Sequence, residues 1–280
     1  MDLVNGLVRW LFGVLLVPLE MVGDEFSIVV VSGVFGVLAL IAFKHISWQA
    51  GIKRTKDRIK GHLIEIRIYQ DDLMVVGRAV GRILFRNAQY LGLNFGPFVP
   101  LAVPFVLVAA QLVTRYGFEP LPVEPAETRH GHVLEIAMSA GHDADVVGMR
   151  IEWPEGLVPV SPLVRAPSDG RAFQEFVAVA PGEYDVPIEL ADGTRVTKRI
   201  VAGDVEPRAL QPERVKSFWS QWLWPAEDSL AGTSFERIAL TYPERELAWM
   251  PDGPIGVMIA LIVASMAFGF ALLKPLGIQI

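Results

Sequence analysis

Residues 26–60 read FSIVVVSGVFGVLALIAFKHISWQAGIKRTKDRIK, and the change of character within this stretch indicates the fold. Residues 26–43 form eighteen consecutive positions without a charge. At about 1.5 Å per helical residue, such a run nearly matches the thickness of a bilayer core. A dense cluster of lysines and arginines follows at once. The junction therefore predicts a transmembrane helix that ends at a basic surface segment.

Two further uncharged intervals have a similar length. Twenty-eight residues lie between Arg86 and Arg115, and twenty lie in 254–273. Apolar residues make up 52% of the 280-residue chain and are gathered in such blocks, which is typical of a membrane protein. We expect three spans, at 26–43, 96–115 and 253–273, and a short tail at 274–280. The three uncharged intervals hold no Asp, Glu, Lys, Arg or His, which disfavours an ion-coupled transporter.

The segments between the spans differ strongly in charge. Residues 44–96 contain ten Lys or Arg and four acidic residues, a net charge of +6, whereas residues 115–252 contain thirteen basic and twenty-three acidic residues, a net charge of −10. Basic loops near helix ends stay in the cytoplasm, and long acidic domains can be translocated. We therefore expect residues 44–95 and the tail to be cytoplasmic and residues 116–252 to be extracytoplasmic, or periplasmic in the inner membrane of a bacterium.

Residues 1–25 are predicted to form an interfacial amphipathic helix. On a helical wheel Asp2, Asn5, Arg9 and Glu20 fall within one narrow stripe, and apolar residues occupy the rest. A signal peptide is disfavoured because Arg9 lies within the apolar part and no small-x-small cleavage site follows. An alternative is a fourth span over residues 3–21 that forms a tight hairpin with the next helix.

The basic segment has the pattern of a coiled-coil hairpin. Apolar residues repeat every seven positions, at Ile52, Ile59, Ile66, Leu73 and Val80. Both ends of the segment must return to the membrane, so one straight helix does not fit. We place a bend at residues 70–72, where an aspartate can cap the second helix.

The cations of this hairpin are candidate contacts for a partner. The residues that we single out are Lys53, Arg54, Lys56, Arg58 and Lys60. Attraction to the lipid bilayer, together with their effect on topology, accounts for most of them. A sharper alternative is contact with the ribosome through the basic hairpin. DNA is not an expected partner.

Small residues and prolines mark the expected contacts between the spans. Proline in a span is tolerated where neighbouring helices or a cavity satisfy the freed carbonyl groups, and small residues let helices approach closely. The candidates for a groove or a packing face are Ser32, Gly36, Pro100, Pro104 and Gln111.

The order of these features resembles the core of the YidC/Oxa/Alb superfamily of membrane protein insertases, above all its three-span members, which include an archaeal branch and endoplasmic reticulum insertase subunits. The resemblance covers residues 1–115, through GDEFSIVVVSGVFGVLAL and GPFVPLAVPFVLVAAQL, and the last span by order only. It implies a protein that assists the insertion, folding or assembly of membrane proteins, with nascent membrane proteins or a membrane complex as partners.

One position departs from that superfamily. Its members typically keep an arginine in the first core span, in a water-filled groove that receives polar parts of a substrate. In the register set by FSIVVVS this position is Gly36. The groove is then expected to be dry, filled by another helix, or lost, and the fold can be inherited without the activity.

The extracytoplasmic segment is predicted to contain a small immunoglobulin-like β-sandwich at residues 116–205. The strand-like segments are HVLEIAMS, VVGMRIEW, RAFQEFVAVA, GEYDVPIEL and TRVTKRIVAG. Asp192 and Gly193 lie between two alternating runs, which is a strong hairpin signal. Such sandwiches more often bind or space other proteins than catalyse.

Residues 206–252 are predicted to form a membrane-proximal amphipathic helix and a strand. The helix would cover ERVKSFWSQWLW and place Trp219, Trp222 and Trp224 at the membrane interface, because tryptophan favours the headgroup region. A competing interpretation puts these tryptophans in the core of the sandwich. FERIALTY is the expected strand.

The sequence offers little catalytic chemistry. It has no cysteine, no nucleophile motif, no phosphate-binding glycine loop and no zinc-protease helix. A metal site can be drawn from His130, His132, His142, Asp143 and Asp145, but solvated residues near loop ends explain them as well. We therefore expect no enzyme, no catalytic residue, no metal and no cofactor.

Three functional hypotheses remain. The first is an insertase-like membrane chaperone. The second is a membrane-anchored scaffold or partner subunit whose immunoglobulin-like domain binds another protein, without insertase activity. The third, a sensor that signals to the cytoplasmic helices, is least favoured because no signalling module follows them.

Overall fold

The computed structural model describes residues 2–125, 127, 131–205 and 209–277. Its helices are α1 (Asp2–Glu20), α2 (Asp24–Ile46), α3 (Gln49–Ile68), α4 (Leu73–Phe95), α5 (Phe98–Tyr116), α6 (Phe218–Gln221) and α7 (Gly253–Leu276). Its strands are β1 (His132–Met138), β2 (Arg150–Ile151), β3 (Leu157–Pro159), β4 (Val164–Ala166), β5 (Arg171–Ala178), β6 (Gly182–Glu189), β7 (Arg195–Ala202), β8 (Glu213–Val215) and β9 (Phe235–Leu240).

The chain divides into two compact units. The β-sheet unit consists of residues up to 28 together with residues 106–259, and the helical unit consists of residues 29–105 together with residues from 260 onward. The division falls inside α2, α5 and α7.

Among the residues that the structure describes, three helical segments are long and apolar enough to cross a membrane, which confirms the predicted number of candidate spans. They are Asp24–Ile46, a part of Leu73–Tyr116, and Gly253–Leu276. The first is longer than predicted because Asp24 and Glu25 form its first turn, where acidic side chains complement the positive end of the helix dipole. The described apolar part of α1, Trp10–Glu20, is shorter than a span.

A helical hairpin follows the first candidate span. The 20-residue α3 and the 23-residue α4 pack against each other and are joined by a turn at residues 69–72. The bend lies where the sequence places it. The Asp72 carboxylate accepts hydrogen bonds from the backbone N–H groups of Met74 at 2.9 Å and Val75 at 3.1 Å, so it caps α4.

The β-sheet unit contains two antiparallel sheets. Six strands form one sheet with the order β3-β5-β1-β9-β8, in which β4 also pairs with β5, and β2-β6-β7 form the other. Buried residues of both sheets, such as Ile136 on β1 and Ile188 on β6, belong to one hydrophobic cluster. The predicted turn joins β6 to β7, where Gly193 has a φ of 85° that favours glycine.

The boundary predicted at residue 206 is wrong. Strands β8 and β9 lie in the same sheet as β1, with β9 paired to both neighbours. The amphipathic helix predicted over ERVKSFWSQWLW is also wrong, because Glu213–Val215 forms β8 and only the four residues of α6 are helical. Pairing of β8 with β9 satisfies the backbone across the sheet and overrides the local helical periodicity.

One predicted strand is extended over only two of its residues. Within VVGMRIEW only Arg150–Ile151 is extended, and Asp143–Gly148 forms a 3-10 helix. Val146 lies in that helix, is fully buried and belongs to the hydrophobic cluster of the two sheets.

Candidate functional site

The helical unit contains an apolar cavity of about 720 Å³. Helices α2, α4, α5 and α7 all contribute to its wall. The lining residues are Phe35, Gly36, Ala39, Leu40, Phe43, Tyr90, Leu91, Asn94, Phe95, Phe98, Leu101, Ala102, Phe105, Ile262, Ser265, Met266, Gly269, Phe270 and Leu273. This wall has no charged side chain, so it suits an uncharged occupant.

Aromatic rings join the helices around this cavity. The Phe35 and Phe105 ring centroids are 6.1 Å apart and link α2 to α5. The Phe98 ring lies 5.6 Å from Phe43 and 6.0 Å from Phe95, so it links α5 to both α2 and α4. All three pairs are tilted, which the quadrupoles of the rings favour over face-to-face stacking.

Asn94 is the main polar group of the wall. Asn94 is only 9% exposed, and its side-chain Nδ2 donates a hydrogen bond to the Tyr90 carbonyl at 2.8 Å. Its Oδ1 has no hydrogen-bond partner within the described part of the chain. A buried unpaired acceptor costs about 1–3 kcal/mol, so a donor on an occupant would be stabilising here.

Gly36 lies on the cavity wall where α2 touches α7. A Cβ atom on Gly36 would lie 2.2 Å from the Ser265 carbonyl oxygen and 2.5 Å from the Ser265 Cα. These are backbone atoms, so the neighbour cannot rotate away. Helix α7 therefore lies directly against α2 at Gly36 and leaves no room for a side chain there.

The five predicted groove residues do not form one site. Only Gly36 lines the cavity. Ser32 is fully buried in α2, whereas Pro100 and Pro104 are exposed on α5. Gln111 belongs to the other unit. The sequence shows which residues are small or polar but not which way each one faces.

A second cavity, of about 1040 Å³, lies in the β-sheet unit beside α1. Glu20 accepts hydrogen bonds from Arg115 Nε at 2.5 Å, from Arg115 Nη2 at 2.8 Å and from the Tyr116 hydroxyl at 2.8 Å. Burial alone would raise the pKa of Glu20, but the Arg115 and Tyr116 hydrogen bonds outweigh it and hold this pKa below its usual value. Gln111 lines the same cavity. This clamp of α1 on α5 was not predicted, because 95 residues separate its partners.

The five predicted cations of α3 are all exposed. Lys53, Arg54, Lys56, Arg58 and Lys60 follow one another along the first half of the helix. Sequence reasoning did not single out the arginines of α4.

The three tryptophans predicted at the interface do not share one exposed face. Trp219 is 78% exposed, whereas Trp222 and Trp224 are half-buried. Trp224 packs against the hydrophobic cluster, with its ring centroid 6.3 Å from that of Phe118. The competing interpretation therefore applies to Trp224. Tyr242 also belongs to the hydrophobic cluster, and its hydroxyl accepts a hydrogen bond from the backbone N–H of Val201 at 3.1 Å.

The residues considered for a metal site are dispersed. His130 lies outside the described residues. His132 packs beside Phe176, and His142 Nδ1 is 2.9 Å from Asp145 Oδ2. No group of three possible metal ligands occurs in the part of the chain that the structure describes.

Comparisons with protein-family models, with curated proteins and with solved structures find no match to this chain. The resemblance to insertases therefore rests on the order of the elements and on two short apolar strings.

Proposed function

We propose that this chain is an integral membrane protein that assists the insertion, folding or assembly of other membrane proteins by holding their apolar segments. The observation that carries this proposal is the aromatic cavity of about 720 Å³ between α2, α4, α5 and α7. The resemblance to the YidC/Oxa/Alb superfamily supports it through the order of the helices.

The chemistry of the cavity determines the kind of client. A charged side chain moved into an apolar wall without a partner loses its hydration, at a cost of several kcal/mol. The cavity offers no opposite charge, and Asn94 is its main hydrogen-bonding group. The clients are therefore uncharged helical segments, and charged client segments are not stabilised there.

The absence of an arginine at position 36 defines the proposed mechanism. An insertase groove attracts polar or acidic parts of a substrate through a buried positive charge. Here α7 fills that place, so the chain acts as a holder of apolar helices and not as a conduit for polar ones. In this proposal the α3–α4 hairpin is cytoplasmic and basic, and the two sheets form an extracytoplasmic immunoglobulin-like domain.

The second candidate function is a scaffold or partner subunit. The observation that favours it is the tight backbone contact between Gly36 and Ser265, because a bundle closed in this way is suited to a fixed neighbour. In that case the cavity holds one permanent partner helix, and the β-sheet unit binds another protein.

Photo-crosslinking distinguishes the two functions. A photoreactive amino acid at Phe105, on the cavity wall, is compared with one at Val99, which is exposed on the same helix and does not line the cavity. Position 36 cannot carry the probe, because any side chain there would meet the Ser265 backbone. We expect Phe105 to capture many newly made membrane proteins in growing cells and Val99 to capture few.

The other outcomes are equally informative. One stable protein captured at Phe105 would support the scaffold function and contradict the holding function. Capture of lipid alone at both positions would contradict both.

A further inference from the structure

The outward surface of α4 carries an exposed apolar line. Leu73, Val80, Leu84 and Leu91 are all exposed and are separated by seven, four and seven residues. The last of them, Leu91, also lines the apolar cavity. At 3.6 residues per turn these spacings place the four side chains on one face of the helix. Large exposed apolar surfaces of this kind mark contact with a protein or a membrane.

A second line on α4 is cationic. Arg78, Arg82 and Arg86 are four residues apart and, together with His62 of α3, line a concavity of about 470 Å³. The nearby acid is Glu65, which lies 3.6 Å from Arg82 and 2.9 Å from His62. Arg78 has no hydrogen bond or ion pair with any described residue, and Arg86 donates to the Gln89 side chain.

Three guanidinium groups beside one carboxylate leave an excess of positive charge in a concave site. Like charges four residues apart on a helix repel one another, and an anion between them removes that repulsion. The planar guanidinium donates paired hydrogen bonds that match phosphate oxygens. The chemistry of the concavity therefore fits a phosphate group.

The apolar line indicates which phosphate-bearing ligand is bound. A helix with an apolar face flanked by arginines is suited to lie in a membrane interface, with the cations at the level of the lipid phosphates. Residues 49–95 contain nine basic and four acidic residues, so the hairpin is complementary to anionic lipid. Only Gly96 and Pro97 separate α4 from the candidate span α5.

We propose that α4 is a binding site for anionic phospholipid, in which Arg78, Arg82 and Arg86 hold lipid phosphates while Leu73, Val80 and Leu84 enter the headgroup and acyl boundary. The site rests on the membrane location in the proposed function but does not depend on the handling of clients. Failure of crosslinking at Phe105 would leave it standing.

The absence of native cysteine allows a direct test on the full chain. An environment-sensitive dye is attached to Leu84→Cys, on the apolar line, or to Lys60→Cys, which is exposed on α3. Each protein is reconstituted in nanodiscs of phosphatidylcholine, with or without phosphatidylglycerol, that contain nitroxide-labelled lipid. We expect the dye at position 84 to be quenched by the nitroxide, and more strongly with phosphatidylglycerol, while the dye at position 60 stays accessible to aqueous iodide.

A matched pair of triple variants tests the arginines. The concavity variant, R78Q/R82Q/R86Q, and the α3 variant, K53Q/R54Q/R58Q, each remove three positive charges. Each cation at an anionic surface contributes roughly a factor of five, so the concavity variant should lower the equilibrium constant for bilayer contact at position 84 by about 100-fold. The α3 variant should lower it by much less.

Several outcomes would overturn the proposal. Equal losses in the two variants would mean that only overall charge matters. If inorganic phosphate, but not chloride of the same ionic strength, moved the dye at position 84 out of the bilayer, the site would be assigned to free phosphate. A dye at position 84 that stays in water, combined with weaker ribosome binding in the concavity variant alone, would assign the arginines to RNA.

Discussion

Gly36 lies at the closest approach of α2 to α7, and its lack of a side chain is what permits the contact. The atoms that a Cβ would meet belong to the backbone of Ser265, so no rotamer change relieves the clash. At Gly33, one turn earlier, a Cβ would meet the ring of Phe268 at 2.9 Å, and that ring can move. The two glycines therefore differ in how strictly they are required.

Gly36→Ala should destabilise the helical unit. The added methyl must push the two helices apart, and overpacking of this kind costs about 1–3 kcal/mol. The free energy of unfolding in mixed detergent micelles, followed by tryptophan fluorescence, measures the effect.

The matched control is Gly77→Ala on α4. A Cβ at Gly77 would meet nothing within 4 Å, so alanine should stabilise the helix by about 1 kcal/mol. If both variants changed stability by the same amount and in the same direction, the close contact at Gly36 would not exist in the folded protein.

At the scale of elements, a buried ion pair links strand β7 to residues 211–227, which follow it in the chain. Lys198 is fully buried, and its Nζ donates hydrogen bonds to the Gln211 carbonyl at 2.6 Å and to the Glu227 carboxylate. The backbone N–H of Glu227 donates in turn to Gln211 Oε1 at 2.8 Å. Burial lowers the pKa of Lys198, while the Glu227 carboxylate favours the charged ammonium group.

Lys198→Met should strongly destabilise the β-sheet unit. It removes one partner and leaves the Glu227 carboxylate, whose side chain is only 8% exposed, without its counter-charge. Breaking a buried pair in this way costs about 3–5 kcal/mol. Chemical denaturation of the full chain in detergent measures the loss.

The double variant K198M/E227L separates charge from packing. Replacing both partners by apolar residues removes the unpaired charge, so most of the lost stability should return. A double variant that is less stable than Lys198→Met would show that Lys198 acts through other contacts.

At the scale of the whole molecule, the charge asymmetry predicts orientation. The α3–α4 turn carries Gln70, and the loop between β4 and β5 carries Ser168, and both residues are exposed. If the basic hairpin is inside and the β-sheet unit outside, a membrane-impermeant maleimide added to intact cells or spheroplasts should label Ser168→Cys. It should label Gln70→Cys only after the membrane is opened. The reverse pattern would contradict the proposed topology.

Local patterns in the sequence predicted the elements well where a single physical rule was sufficient. Uncharged length located the candidate spans, the aspartate at position 72 located the helix start, and the Asp192–Gly193 pair located the β6–β7 turn. Hydrophobic periodicity failed as a guide at residues 213–224, because the same apolar residues fit a helix or a strand. Pairing with the partner strand β9 decided between the two at β8.

The candidate site was only partly predictable. Gly36 was named from the sequence, but neither the cavity on whose wall it lies nor the contact with Ser265 was foreseen. The clamp between Glu20 and Arg115 and the pair of Lys198 with Glu227 were also missed. Each joins residues far apart in the chain, and a single sequence holds no signal for such pairs.

The sequence by itself determined the number of helices apolar enough to span a membrane, the basic hairpin between the first two and the antiparallel strands of the β-sheet domain. These follow from length, periodicity and charge, which act over a few turns of helix or a single hairpin. Only the tertiary structure decided that α7 lies directly against Gly36, that β8 and β9 join the main sheet and that aromatic and aliphatic residues of four helices line one apolar cavity. Those outcomes depend on which faces meet, and that choice is made by packing between segments that lie far apart in the chain.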